Sequence, residues 1–302
     1  MSGLPVLGVD AGGSATRAVL IKDGQVLSRF DEPPLNVLLQ ADAFQRLAAL
    51  ITASGAAVAG LGLAGLRGPE HAADIGTRLA GATGVDVVVV DDTEAALAGA
   101  FGAKPGVIVI AGTGSNALGR SGDGRTARAG GYGFLVGDEG SAYWFASQAL
   151  RAALRSRDGS GPKSEALEVA VTDEYGLDFD AIVRLIYSDP ADRQLLTRLA
   201  RTVMALDDDP VMTAILNAGC DHLIALANIL RRQLGTAQSD TAQRGNELPV
   251  AMHGGVFSNP YVRSRFVSAT GAKTAARAPE FGAVDLAIRH HGRSDHGTAR
   301  SI

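Results

Sequence analysis

The stretch VLGVDAGGSATRAVLIKDGQ, Val6 to Gln25, holds an apolar run that ends in Asp10, a Gly-Gly-Ser turn, a second apolar run and an Asp-Gly turn. This pattern predicts strands over Pro5–Asp10, Ala15–Ile21 and Val26–Asp31, joined by Gly12-Gly13-Ser14 and by Lys22-Asp23-Gly24, a strong hairpin signal. A hundred residues on, VIVIAGTGSNALGRSGDGR, Val107 to Arg125, repeats the order of apolar strand, Gly-rich turn closing on Gly-Ser, second strand and Asp-Gly turn. Two copies of one supersecondary unit predict two related domains, each with one Gly-rich hairpin.

Between and after the copies, strands and helices alternate. Helical spacing is expected at Asp42–Thr52, Pro69–Leu79 and Thr93–Phe101, and buried strands at Ala57–Leu63, Val85–Val90 and Gly106–Ile110. Continuous Val/Ile/Leu/Ala runs of this kind suggest a mostly parallel sheet covered on both faces. After Gly140 the chain reads as almost entirely helical, with long patterns at Ser141–Arg155, Pro190–Ala205 and Pro210–Leu234, until a strand at Leu248–Met252. A final helix is expected at Pro279–His290, followed by a polar, frayed Gly292–Ile302. The domains are expected at 1–111, with the helix at about 279–290 packing back on it, and at a helix-rich 112–278.

Composition narrows the class. The 302 residues suffice for two domains with their own cores. A chain 46% hydrophobic and 20% charged is that of an ordinary globular protein. A net charge of −4 argues against nucleic acid and anionic membranes as partners. Cys220 is the only cysteine, so no thiol cluster can hold zinc or iron–sulfur. The start, MSGLPVLGVD, has no basic region, and the longest apolar run, Ala56 to Leu66, is short of the ~20 residues of a membrane span, so a cytoplasmic protein is expected.

Glycines in tight turns let successive backbone N–H groups point outward as an anion-binding nest, and two nests could grip a polyphosphate from both sides. Asp10, at a strand end beside the first, suits a magnesium ion accompanying ATP. The bland alternative is that Gly12, Gly13, Gly112 and Gly114 only form hairpins. A rival motif is GLGLAG, Gly60 to Gly65, formally a dinucleotide-binding GxGxxG. The next helix starts only after Gly68-Pro69, so its N-terminus is not laid against those glycines, and both hairpins stay unexplained.

DAGGSATR, DDTEAAL, IAGTGSNA, GGYGFLVGDEGSAYW and HGGVFSNP, in this order from Val6 to about Phe257, resemble the sugar-kinase branch of the actin and hexokinase superfold. They are most similar to N-acetylglucosamine kinases of the BadF/BadG/BcrA/BcrD group, with a weaker echo in PEFGAVDLA, Pro279 to Ala287. The resemblance implies an α/β protein of two actin-like (ribonuclease H-like) domains, the second rich in helices, with ATP in a central cleft and a sugar beside it. It implies Asp10 as magnesium partner, Gly12, Gly13, Ser14 and Thr16 in one phosphate loop, and Gly112, Thr113, Gly114 and Ser115 in the other. Gly254, Gly255 and Val256 match the adenosine side, which fits a Gly turn opening a helix at Pro260. Asp92 matches the catalytic base, and Asn36, Asn116 and Asp138 match residues that hold sugar hydroxyls and the acetamido group. Tyr132 stands where related enzymes often carry tryptophan. Related kinases are often homodimers through the helical domain.

The residues themselves leave alternatives open. A carboxylate at the end of a buried strand is the expected proton acceptor for a sugar hydroxyl, yet Asp91 or Asp92 could simply cap the helix at Thr93, and Asp91 is favoured as cap with Asp92 as base. Asp138 and Glu139 could cap a helix starting at Gly140, and Asn36, after Pro33-Pro34, could lie in a surface turn. The expected reaction is ATP-dependent phosphorylation of an amino sugar, N-acetylglucosamine to its 6-phosphate. A glucosamine kinase and a non-kinase ATPase or sugar-responsive regulator are the alternatives. The dehydratase activators of the same superfold need paired cysteines for an iron–sulfur cluster, which Cys220 alone cannot supply.

Overall fold

A computed structural model describes residues 3–13, 15–38, 40–189, 192–235 and 247–297. Ser14, part of the first expected phosphate loop, lies outside the described residues. By its internal contacts the chain divides into two units, residues 1–106 with 274–302 and residues 107–273.

The first unit is built on a five-stranded sheet of order β3-β2-β1-β4-β5, with β1 at Val6–Ala11, β2 at Thr16–Lys22, β3 at Gln25–Glu32, β4 at Val58–Leu63 and β5 at Asp86–Asp91. The sheet is mixed rather than mostly parallel. β1, β2 and β3 pair antiparallel because two tight hairpins join them, whereas β1, β4 and β5 pair parallel through helical crossovers. Its first face packs on α1 (Ala43–Ser54) and α2 (Pro69–Thr83) through Leu7, Val9, Leu47, Ile51, Leu61 and Leu79. The β3 edge stays exposed along most of its length, so covering is incomplete there.

The other face meets α3 (Asp92–Phe101) and α11 (Pro279–Gly297). Glycines permit the approach. A Cβ on Gly8 would stand 2.0 Å from the Glu280 carbonyl, one on Gly60 2.1 Å from that of Ala283, and one on Gly282 1.9 Å from that of Ala95. These contacts account for GLGLAG without a nucleotide: Gly60 admits α11, and a Cβ on Gly62 would meet the Ala95 methyl at 2.6 Å. The backbone of α11 is helical to Gly297, past the point where fraying is expected, and 298–302 lie outside the described residues.

The second unit repeats the plan. Its sheet order, β8-β7-β6-β9-β10, is that of the first unit element for element, with β6 at Gly106–Ala111, β7 at Ser115–Arg120, β8 at Thr126–Gly130, β9 at Val250–His253 and β10 at Lys273–Thr274. β7 and β8 pair antiparallel and β6 and β9 parallel. Between β8 and β9 run α4 (Ala142–Asp158), α5 (Glu165–Tyr175), α6 (Phe179–Ser188), α7 (Gln194–Thr197), α8 (Leu199–Met204) and α9 (Pro210–Leu234). Instead of one helix over Pro190–Ala205 there are two short ones meeting at Arg198, and residues 190 and 191 lie outside the description. After β9 comes α10 (Pro260–Thr270).

Among the described residues α9 is the one helix long and apolar enough to cross a membrane, with a mean hydropathy of 1.3. Its stripe of Met212, Leu216, Cys220, Leu223, Ala227 and Leu230 is instead fully buried in the core of the second unit, and the helix also carries Asn217, Asp221, His222, Asn228 and Arg231. It is a core helix.

Candidate active site

In the first unit the candidate carboxyls stand at the carboxyl ends of β1 and β5, on either side of β4. Asp10 is paired with Gly62 on β4 and with Arg17 on β2. Gly62 in turn pairs with Val90, so Asp10 and the Asp91-Asp92 step stand at one level, two strands apart or about 10 Å. Gly62 lacks a Cβ where one would lie 3.6 Å from the Asp92 Cα.

The two aspartates of the β5–α3 turn both reach Thr93. Asp91 is the N-cap of α3, in an extended conformation, its carboxylate accepting from the Thr93 N–H at 3.0 Å and from the Thr93 hydroxyl. Asp92 also accepts from the Thr93 N–H, at 2.8 Å. Burial, the Asp91 charge, a side-chain hydrogen bond with Asp91 and the Asp10 charge together push the Asp92 carboxyl up to about 7, against a smaller downward pull from the Thr93 N–H. Asp10 is likewise pushed up to about 7 by burial and by Glu280, with Arg17 opposing. Glu280, at the start of α11 and 5% exposed, lies in the PEFGAVDLA stretch but is given no role by it, and it is a member of this charge group. Its position depends on how the last helix crosses the sheet.

The first hairpin uses one of its donors internally, since the Gly12 N–H closes the turn on the Ala15 carbonyl at 3.1 Å. The Gly12 carbonyl accepts from the Leu35 N–H at 3.3 Å. Thr16, expected in the loop, is on β2, 1% exposed, and its Oγ1 has no hydrogen-bond partner among the described residues. Asn36 lies in the loop after β3, its Oδ1 accepting from the Leu38 N–H at 2.9 Å. That side chain packs on Gly65, where a Cβ would be 2.4 Å from Oδ1.

In the second unit the Gly112 N–H closes its hairpin on the Gly114 carbonyl at 2.9 Å, and the Gly112 carbonyl accepts from Ala142 at the start of α4 at 2.8 Å. The Ser115 hydroxyl, expected to face phosphate, is buried and donates to the Glu139 carbonyl at 2.8 Å. Asp138 does not cap a helix at Gly140: α4 begins at Ala142 with Ser141 as its N-cap. Asp138 has φ of 58° and is 5% exposed; burial raises its carboxyl, while hydrogen bonds from the Ser115 and Gly133 backbones oppose. It therefore ties the GTGS hairpin to the glycine-rich loop after β8. A Cβ on Gly114 would stand 2.7 Å from its Oδ2. Tyr132 in that loop is 76% exposed, and Asn116 on β7 packs on Gly131.

Gly254 has φ of 108°, and a Cβ there would stand 2.4 Å from the Ala111 carbonyl, so it lets the chain cross the end of β6. Gly255 opens a 3₁₀ turn, Gly255–Ser258, and not α10, which is capped by Asn259. Val256 is a core residue, 4% exposed, so at most its backbone can meet a ligand.

The duplicated five-stranded sheets, each opening with a glycine-rich hairpin, define the actin-like class of two-domain α/β phosphotransferases and ATPases. Within that class the chain belongs to the BadF/BadG/BcrA/BcrD ATPase family, whose pattern matches residues 7–284. It is similar to the N-acetylmuramic acid/N-acetylglucosamine kinase of Clostridium acetobutylicum, 41% identical over 118 residues, which is 39% of this chain and 38% of that protein. The matched part thus spans well under half of that curated relative. Among solved structures, a Chromobacterium violaceum protein assigned provisionally as an N-acetylglucosamine kinase is 27% identical with a TM-score of 0.77, covering 95% of this chain and 99% of its own. A Porphyromonas gingivalis protein with the same provisional assignment, 23% identical with a TM-score of 0.74 and the same coverage, shares the fold.

Proposed function

We propose that this protein is an ATP-dependent amino-sugar kinase of the cytoplasm that phosphorylates N-acetylglucosamine on its 6-hydroxyl. The observation that carries the reading is Asp92: a strand-end carboxyl whose pKa lies near 7, beside a separate residue, Asp91, that already serves as the helix cap. Family membership and the curated kinase relative supply the substrate class.

In this reading Asp92 accepts the proton of the sugar hydroxyl as its oxygen bonds to the γ-phosphorus of ATP and the bond to the ADP oxygen breaks. Asn36, Asn116, Asp138 and the exposed Tyr132 ring are the sugar-side residues, Asp138 by holding its loop. Gly12, Gly13, Thr113 and Gly114 line the phosphate hairpins, and Gly254 and Gly255 the adenosine side. Magnesium, held by Asp10 directly or through water, supplies charge neutralisation on the phosphates. The donor set fits it: the Asp10 carboxyl offers hard oxygen at the strand end, raised by burial and Glu280 with Arg17 opposing, and its charge in turn raises Asp92.

A panel of amino sugars with ATP and magnesium, scored by ADP release, tests the proposal. N-acetylglucosamine should give the highest kcat/KM, because a site that hydrogen-bonds the acetamido group leaves polar groups unpaired with glucosamine. Equal or better turnover of glucosamine makes this a glucosamine kinase. ADP release that no sugar stimulates overturns the kinase reading in favour of an ATPase switch.

A further inference from the structure

The loop that carries Asn36 has few apolar anchors, yet it is pinned from three directions by polar contacts. Arg46, one turn into α1, reaches back to the loop: its guanidinium donates to the Pro33 carbonyl at 2.8 Å and to the Pro34 carbonyl at 3.2 Å. Pro34 and its neighbours have no freedom to shift without breaking this fork. Gln40 closes the other side. Its amide donates to the same Pro34 carbonyl at 3.2 Å, its Oε1 accepts from the Asn36 N–H at 3.0 Å, and its own N–H donates to the Asn36 carbonyl at 3.1 Å. From above, Gly65, at φ of 87°, presses on the Asn36 side chain where any Cβ would collide with Oδ1. Leu35, next to Asn36, is buried and donates to the Gly12 carbonyl of the first hairpin.

We infer that Arg46, with Gln40, is a positioning residue for the sugar: it fixes the backbone on either side of Asn36 so that this side chain is preorganised for the substrate before binding. A charged fork to two carbonyls is the kind of contact that holds a short proline-bearing turn in one state. Loose, the same loop would have to be ordered at the moment the sugar binds, and affinity would drop by that cost. The first hairpin meets this loop only through the Leu35 N–H, and Leu35 is held by its buried side chain as well as by the fork, so loss of the fork should reach the nucleotide side less than it reaches Asn36.

The inference rests on Asn36 being a sugar-side residue, so the experiment separates the two. Steady-state kinetics and calorimetric binding of N-acetylglucosamine, with glucosamine alongside, are measured for the full chain and for Arg46→Ala, Arg46→Lys, Gln40→Ala, Asn36→Ala and the Arg46→Ala/Asn36→Ala double variant. The sugar KM and Kd should rise about tenfold in Arg46→Ala, the scale of one lost charge-assisted hydrogen bond, with the KM for ATP within about twofold of the parent. Arg46→Lys, which offers a single ammonium in place of a planar fork, should recover part of the loss. Removing Arg46 in the Asn36→Ala background should cost the sugar nothing further, a non-additivity that a general loss of stability would not produce. Should Arg46→Ala not fold, Gln40→Ala carries the same expectation. If Asn36→Ala weakens the sugar while Arg46→Ala and Gln40→Ala do not, positioning is refuted and the role of Asn36 stands. If the Arg46 and Asn36 effects simply add, or ATP weakens in parallel with the sugar, Arg46 is structural. If Asn36→Ala leaves the sugar untouched, the reading of Asn36 fails and positioning falls with it.

Discussion

Replacing Asp92 by Asn should make the protein more stable and almost inactive, and both effects follow from one geometry. Asn is close in shape to the protonated acid and can keep a hydrogen bond to Asp91, but it cannot take a proton from a hydroxyl. The native carboxyl is pushed up to about 7 from 3.8, so above neutrality folding must bury a charge that the unfolded chain carries freely. The shift corresponds to at most about 4 kcal/mol; partial solvent access and coupling to Asp10 and Asp91 reduce this to about 1–3 kcal/mol. The sign follows from linkage: between pH 3.8 and 7 the native state binds more protons than the unfolded one, so this group removes stability as pH rises through that window, and above it the penalty is complete. Thermal melts at pH 8 should therefore show an apparent Tm higher by about 2–12 °C in Asp92→Asn, at about 2–4 °C per kcal/mol, and the gain should shrink by about half at pH 5.5. On the same preparations kcat should fall by about 10²- to 10⁴-fold. A variant no more stable than the parent at pH 8 would mean that Asp92 is not a buried, strained acid. Turnover within tenfold of the parent would remove it as the base.

In the parent enzyme kcat/KM should lose about tenfold per pH unit below 7 and level off above it, since the base must be deprotonated; a flat profile from pH 5.5 to 8 contradicts the assignment. Asp91→Ala should cost about 0.5–2 kcal/mol by denaturant melts through loss of the α3 cap, with kcat little changed. Gly282→Ala places a methyl 1.9 Å from the Ala95 carbonyl, and should destabilise the first unit strongly enough to show as poor soluble yield or a lowered Tm, whereas Gly112→Ala, with open space at its Cβ, should leave stability nearly unchanged.

The hairpins were legible because their signals are local: a Val/Ile/Leu run, a carboxylate, a glycine turn and an Asp-Gly turn all sit within twenty residues. The helices α5 and α6 were harder to resolve, being short, although Ser164, Gly176 and Asp178 do mark their caps. The expectation of a mostly parallel sheet failed because buried runs look alike in either pairing, and only the turn lengths tell them apart. At the site, the Asp91 cap of α3 could be read from capping preference. The duties of Ser115, Asp138 and Val256 could not, since each is set by a partner brought in by folding: the Glu139 carbonyl, the Ser115 and Gly133 backbones, and the second core. The contacts of Arg46, and the charge role of Glu280 within PEFGAVDLA, were hidden for the same reason.

The last helix also dictates when the first unit can be finished. Its sheet face bearing Val6, Val19 and Val58 is closed by Val284 and Ala287, residues made some two hundred positions after the strands they cover. During synthesis the intervening unit can complete its own core while that face waits, open and apolar, for α11 to be made. The notches at Gly8 and Gly60, which admit the α11 backbone, stay unfilled over the same interval.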